Sequence, residues 1–234
     1  MKWTEKYKQA ITFSYDDGIT QDIRLVELMN KYGIKCTFNI NSEKMGMPST
    51  LDREGNTLSF YRLTAYDVKK VYEGHEIASH TLLHKRLTEM TDEGVIEAVE
   101  KDRLTLSELV GYEVVGFAYP CGGVNHDDRV AGIIKEHTGV KYARTNKKTD
   151  SMQLQHDLYK FLPNVSHVMQ GDRLDVLTER LINYNGDEPQ ILYIYGHSFE
   201  LDFDNKYWAK LEEYFKFISG RKDIFFGTNK EVLL

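Results

Sequence analysis

The sequence predicts an α/β fold on a mainly parallel sheet, and three observations carry that reading. Short β-rich runs alternate with helix-length amphipathic stretches, glycines fall just past several helical stretches, and polar residues gather where the β-rich runs end. The first expected strand, Ile11–Tyr15, is followed by a helix over Asp22–Lys31, a strand over Cys36–Ile40 and a helix over Ala65–Tyr72. Next come a strand at Glu76–Ser79, a long helix at Asp92–Val110, a strand at Val114–Ala118 and a helix at Asp127–Glu136. Strands at Tyr142–Ala143 and Tyr159–Leu162, a helix at Leu174–Tyr184, a strand at Ile191–Tyr195, a helix at Lys206–Ile218 and a strand at Ile224–Phe226 complete the series. In the longest helix Val95, Val99, Leu104, Leu106 and Leu109 recur at roughly helical spacing. Gly33, Gly111 and Gly139 stand where a left-handed cap residue belongs. The stretch Asn41–Phe60 reads as a long loop, the kind that carries function in such folds. Seven or eight strands of this kind make a sheet that is either doubly wound or closed into a barrel. With no repeat, linker or low-complexity tract, residues 1–234 read as one domain.

Composition narrows the function classes. With 41% hydrophobic and 28% charged residues among 234, the chain is an ordinary globular sequence that needs no staples to fold. A net charge of −6 argues against nucleic acid as partner, which wants a basic face. No apolar run reaches the roughly 18 residues of a membrane span, so no membrane insertion is expected. The two cysteines, Cys36 and Cys121, make no disulfide framework, and the first residues lack a secretory signal. The expected location is therefore cytoplasmic, or extracellular and cell-wall associated if a leader has been removed. Oligomeric state stays open.

Three clusters at strand ends carry chemistry, the rim on which parallel α/β folds build active sites. In Ile11-Thr12-Phe13-Ser14-Tyr15-Asp16-Asp17-Gly18 an apolar strand runs into two adjacent carboxylates. Neighbours on an extended chain point apart, so one acid could bind a metal while the other acts as a base; a plain Asp-Gly turn is the alternative. In Ser79-His80-Thr81-Leu82-Leu83-His84 two imidazoles four apart would share one side of a helical turn and could grip one divalent cation. Two histidines and a carboxylate leave a coordination position open, as catalytic sites do. In Tyr195-Gly196-His197 a strand ends in a histidine able to protonate a leaving group, or simply to hydrogen-bond.

Taken together, Ser14-Tyr15-Asp16-Asp17-Gly18, His80-Thr81-Leu82-Leu83-His84, Phe117-Ala118-Tyr119-Pro120-Cys121-Gly122 and Tyr195-Gly196-His197 resemble the polysaccharide deacetylases, the NodB-homology domain or family 4 carbohydrate esterases. The resemblance covers nearly the whole chain. It implies a distorted (β/α) barrel and one divalent metal, zinc first, with Co2+, Ni2+ or Fe2+ able to use the same ligands. It implies Asp17, His80 and His84 as metal ligands, Asp16 as the base acting on water, His197 as general acid and the Cys121 backbone N–H as an oxyanion donor. Tyr119 and Pro120 are assigned to the substrate, with Tyr15 a further stacking candidate. Where many members carry an arginine in the third motif this chain has Ala118, and Arg144, at the end of the strand Tyr142–Ala143, could supply the guanidinium to Asp16. The family's tryptophan motif is not evident, since Trp3 and Trp208 lie elsewhere, and Phe161-Leu162-Pro163 is expected to form that wall. Glu200 and Asp202 read as solvated loop carboxylates, with tuning of His197 or contact with substrate as the alternative, and His75, His126, His137, His156 and His167 have no motif context. The expected function is metal-dependent removal of an acetyl group from an N-acetylated amino sugar or acetylated glycan. The alternatives are hydrolysis of a small non-sugar amide at the same site and a non-catalytic carbohydrate-binding module.

Overall fold

Every residue of β1 (Gln9–Asp16) is buried, as befits a parallel strand covered on both faces. This strand is the axis of the molecule, a computed structural model that describes residues 1–53, 56–167 and 171–234. After it come α1 (Asp22–Lys31), β2 (Thr37–Ile40), and an antiparallel hairpin of β3 (Pro48–Arg53) and β4 (Asn56–Tyr61). Then follow α2 (Ala65–Val71), β5 (Glu76–Ser79), α3 (Asp92–Ile96), a π-helical stretch Glu97–Lys101 and α4 (Asp102–Val110). The series continues with β6 (Gly116–Ala118), α5 (Asp128–His137), β7 (Tyr142–Arg144), β8 (Val165–Ser166) and α6 (Arg173–Ile182). It ends with β9 (Gln190–Gly196), α7 (Asn205–Ser219), β10 (Ile224–Phe226) and α8 (Asn229–Leu233).

The main sheet runs β7-β6-β5-β2-β1-β9-β8, with β10 as an eighth strand. All its described pairings are parallel. One edge of β1 is shared: β10 pairs with Gln9–Ile11 and β2 with Ser14–Asp16, while β9 takes the other edge. The far edges are stitched by a single segment. Phe161 exchanges backbone hydrogen bonds with Ala143 and Thr145 beside β7, and Asn164 and His167 donate to the carbonyls of Tyr193 and Tyr195 in β9. The sheet thereby curls into a distorted (β/α) barrel. Outside it, α1, α2, α6 and α7 bury an apolar layer in which Phe13 meets Phe215 edge-on at 5.3 Å. Each such side chain contributes about 1.5–3 kcal/mol by leaving water. Inside, a polar plug closes the lower end: the Asn229 amide side chain of α8 accepts from Thr12 and donates to Tyr193, and Glu76 accepts from Thr37 and Tyr142. Among the described residues no helix is long and apolar enough to cross a membrane.

Four expectations need correction. The strand expected at Tyr159–Leu162 is a 3-10 turn over Leu158–Lys160 followed by a one-residue bridge at Phe161. Asp157 caps that turn through the Tyr159 N–H, and Pro163 lacks the donor a ladder would need. The stretch Asn41–Phe60, expected as a loop, is a 3-10 turn and the β3–β4 hairpin; its residues 54 and 55 lie outside the described residues. The helix expected at Asp92–Val110 is interrupted by the π stretch, where the Ala98 carbonyl accepts from the Leu82 N–H. Gly33 and Gly111 do take left-handed φ angles of 65° and 79°. Gly139 does not, and its missing side chain instead leaves room for Arg103, whose Cζ would lie 2.3 Å from a Cβ there.

Asp22 ties three segments together. It is fully buried and accepts from the Ile19 N–H at 3.0 Å, the Tyr72 hydroxyl at 2.6 Å and the Ser198 hydroxyl at 2.5 Å. Ile19 follows the Asp16-Asp17-Gly18 corner and Ser198 follows His197, so this carboxyl braces both. Burial outweighs its three donors and pushes its pKa from 3.8 up to about 7. Between those two values the folded chain keeps a proton that the unfolded chain has released, so this group's contribution to stability declines as pH rises through that window. Above about 7 it is level. Asp22→Asn removes the titration while an amide can still meet the same neighbours. The stability of wild type relative to this variant, from urea unfolding, is expected to fall across that window and then stay constant; a pH-independent difference would be the contrary result.

Candidate active site

The C-terminal ends of β1, β5, β6, β7 and β9 converge on a cleft of about 630 Å³ that contains Asp16, Asp17, His80, His84, Tyr119, Cys121, Arg144 and His197. Asp16 closes β1 and is 4% exposed. Arg144, at the end of β7, places one guanidinium nitrogen, Nη2, 2.6 Å from both carboxylate oxygens of Asp16. The Asn39 amide donates to Oδ1 at 2.7 Å, and His197 Nε2 stands 3.9 Å from Oδ2. Burial alone would raise the Asp16 pKa; Arg144, with His80 and His197, wins and holds it below the ordinary value.

Asp17 turns the other way because its backbone is left-handed, with φ of 82°. It meets His80 and His84, and the ligand atoms of the three lie within 4.8 Å of one another. The two histidines do not share a helical turn, contrary to the sequence expectation. Thr81 and His84 both have positive φ, 66° and 58°, and the Thr81 hydroxyl accepts the His84 N–H at 3.1 Å. The tight corner does what a helix would have done. His80 Nδ1 lies 2.7 Å from the Ala118 carbonyl, which can only accept. The proton therefore sits on Nδ1 and Nε2 keeps its lone pair for the cleft. Burial pushes the His80 pKa down to about 4, and burial also lowers His84, so both imidazoles are neutral ligands at neutral pH. Burial would lift Asp17, but His197, His84, His80 and Arg62 hold it well below the usual carboxylate range. One carboxylate oxygen and two neutral imidazoles are a fitting donor set for a divalent cation.

Side chains that the sequence reading did not single out hold this rim. Asp102, buried at the start of α4, accepts from Ser42 N–H, Ser79 Oγ and His80 N–H. The Asn41 amide donates to the carbonyls of His80 and Thr81, and the Asn125 amide to those of Tyr119 and Cys121. Arg62, 6% exposed beyond the hairpin, donates to Asp17 Oδ1 at 3.2 Å. Cys121 completes the set of left-handed residues with φ of 69°. Burial raises its thiol, so the side chain is no thiolate nucleophile.

His197, 28% exposed in its side chain, forms the opposite wall. Burial would push its pKa down, but Glu200, with Asp16 and Asp17, carries it up to about 9. Glu200 is not the solvated loop carboxylate expected: its side chain is 12% exposed and it lies 2.8 Å from His167 Nε2. Three other expectations change here. Tyr15 is no stacking surface, being fully buried with its hydroxyl 3.2 Å from His167 Nδ1. Pro120 is buried away from the cleft, and Tyr119 reaches its edge with a hydroxyl spent on the Tyr159 carbonyl. Phe161–Pro163 are occupied in closing the barrel, and the apolar wall is made by Leu51, Tyr195 and Phe199 instead. Phe199 and Leu51 were invisible as such because neither lies in a motif.

Comparison with known proteins bears on the fold and the family. A chitin deacetylase from Pestalotiopsis sp is 26% identical over 149 residues, 63% of this chain and 44% of that protein, so the chain spans less than half the length of that relative. Among solved structures, peptidoglycan deacetylase PdaC from Bacillus subtilis, in a mutant form, superposes with a TM-score of 0.56 at 15% identity, covering 96% of this chain and 90% of that one. The Xyl-CE4 domain of a multidomain xylanase from the hindgut metagenome of Trinervitermes trinervoides superposes with a TM-score of 0.56 at 16% identity, covering 96% and 89%. These likenesses speak for the fold. The family model described as polysaccharide deacetylase matches residues 4–143, more than half of the chain and the part that carries Asp16, Asp17, His80, His84 and Cys121, and the chain belongs to the polysaccharide deacetylase family.

Proposed function

We propose that this chain hydrolyses the acetyl group of an N-acetylated amino sugar or acetylated glycan, with Asp16 as general base and His197 as general acid. The observation that carries the reading is the opposition of these two groups across one cleft, 3.9 Å apart, beside the Asp17–His80–His84 trio. Their titration is matched to the task. At neutral pH Asp16 is ionised, because Arg144 outweighs burial, and His197 is protonated, because Glu200 does. A divalent cation held by Asp17, His80 and His84 would supply Lewis acidity, polarising the acetyl carbonyl and making a water more acidic.

The chain's own groups then divide the proton work. Asp16 takes a proton from the attacking water as its oxygen bonds to the carbonyl carbon. Arg144 and Asn39 keep the accepting carboxylate in place. The backbone N–H of Cys121, held by its left-handed φ, donates to the oxygen on which negative charge develops. His197 delivers its proton to the departing nitrogen or oxygen as the bond to the acetyl carbon breaks, and acetate remains.

Acetate release from N-acetylglucosamine oligomers and from an acetylated ester is the direct test. Chelator-treated protein is expected to lose turnover and regain it with zinc or cobalt, and His80→Ala to abolish both turnover and tight metal uptake. Turnover of neither substrate while the metal stays tightly bound would transfer the assignment to a small-amide hydrolase, or to a binding module if small amides also persist unchanged.

Asp16→Asn is expected to lower kcat by about 10²–10⁴ with metal content unchanged, since the base is lost while Asp17, His80 and His84 remain. Unaltered turnover in that variant would remove Asp16 from the mechanism. Arg144→Lys keeps a charge but not the planar guanidinium, and is expected to lower kcat about tenfold with little change in KM. An effect on KM alone would show that Arg144 serves substrate binding rather than the base.

A further inference from the structure

Behind the cleft lies a buried imidazole that the mechanism above does not use. His167 follows β8, its side chain is fully buried, and it does not line the cleft. Its backbone N–H donates to the Tyr195 carbonyl at 2.9 Å, which fixes it beside β9. One ring nitrogen, Nε2, lies 2.8 Å from Glu200 Oε2, and the other, Nδ1, lies 3.2 Å from the Tyr15 hydroxyl. A carboxylate only accepts, so Nε2 carries the hydrogen, while Nδ1 faces the Tyr15 hydroxyl, which can donate or accept. The same Glu200 oxygen accepts the His197 N–H at 3.1 Å and stands 3.7 Å from His197 Nδ1.

The surroundings are built to admit this ring. A Cβ on Gly196 would lie 2.1 Å from His167 Cδ2, a contact no side chain tolerates, so the glycine before His197 is the space His167 occupies. Tyr15 in turn precedes Asp16 in β1. The polar contacts thus run from the strand that carries the base, through a buried tyrosine and histidine, to the carboxylate beside the acid.

Resting on the reading of His197 as proton donor to the leaving group, we infer that His167 is a positioning residue: it holds Glu200, and Glu200 aims the His197 imidazole. His167 touches no substrate. Its loss removes one of the hydrogen bonds that orient Glu200, so that the carboxylate no longer aims the His197 imidazole well. The penalty falls on reactions whose leaving group needs that proton.

The test compares two substrates on metal-supplemented enzyme: an N-acetylglucosamine oligomer, whose amine must be protonated to leave, and an aryl acetate, whose phenolate leaves unaided. His167→Leu is expected to lower kcat on the oligomer by about tenfold or more and on the aryl acetate by less than about twofold, with KM unchanged. His167→Gln, which restores an N–H donor toward Glu200, is expected to recover most of the oligomer activity. Glu200→Gln, a milder change should His167→Leu fail to fold, is expected to show the same leaving-group selectivity. Equal losses on both substrates in these variants would reduce His167 to a packing residue and overturn the inference alone. Turnover of neither substrate by wild type would instead overturn the hydrolase reading on which it stands. Nitrogen-15 NMR of the metal-free protein reads the geometry separately: a His167 ring without a hydrogen on Nε2 would overturn the inference whatever the kinetics.

Discussion

A guanidinium and a carboxylate, both almost wholly withdrawn from water, meet at the barrel rim through two 2.6 Å hydrogen bonds between Arg144 and Asp16. Their strands are not neighbours: β6, β5 and β2 lie between β7 and β1. Only a curled sheet lets the two ends touch, so the pair measures the curvature of the barrel as much as it holds it. Stripping both ions of water is expensive, and the attraction repays that cost only with good geometry and further partners. Asn39 supplies one such partner to the carboxylate, and the Tyr195 ring lies 4.9 Å from the guanidinium carbon. Removing one member would leave a bare buried charge, a change on the order of 3–5 kcal/mol. The ionisation of Asp16 and the meeting of the β1 and β7 ends at the rim therefore depend on one contact.

The rim also concentrates backbone strain. Among the described residues the positive φ angles outside glycine belong to Asp17, His84 and Cys121, which line the cleft, and to Thr81 beside His80. Each costs on the order of 1–3 kcal/mol and persists only where its surroundings over-determine it. The surroundings can be named. Asn41 grips the carbonyls before and within the histidine corner, Asn125 grips the carbonyl of Cys121, and Asp102 takes the N–H of His80. Side-chain amides and a buried carboxylate thus do locally what regular hydrogen bonding does elsewhere, and Asp17, His84 and Cys121 sit on irregular backbone beyond the strand ends.

Much of this could be read before any coordinates. The alternation of strand and helix located most of the sheet, because β9 is a nearly continuous apolar run and β1 sets apolar Ile11, Phe13 and Tyr15 between small polar residues. Chemistry-bearing residues at strand ends were legible for the same reason, since apolar runs end where the rim begins. What stayed hidden depended on distance in space. Nothing near His167 or Glu200 in sequence says that they face each other, 33 residues apart. The hairpin of β3 and β4 was lost because its strands are short and their described residues are mostly polar and exposed, while the π stretch differs from its flanking helices by hydrogen-bond register alone. The false strand at Tyr159–Leu162 shows the reverse error, an apolar run whose ladder is stopped by Pro163.

The β3–β4 hairpin bonds to itself and joins the rest through few links. Thr20 N–H donates to Tyr61, Leu63 N–H donates to Gly18, and Phe60 stacks on Phe199 at 4.9 Å. It brings Leu51 to the cleft, and none of its described residues is among the titrating groups there. Reaction chemistry and the shape of the entrance are therefore inherited on separate pieces of chain. On the proposed function, a lineage could lengthen, shorten or exchange this flap, and so move to a differently branched or substituted acetylated ligand, without reopening the costly assembly of charges beneath it.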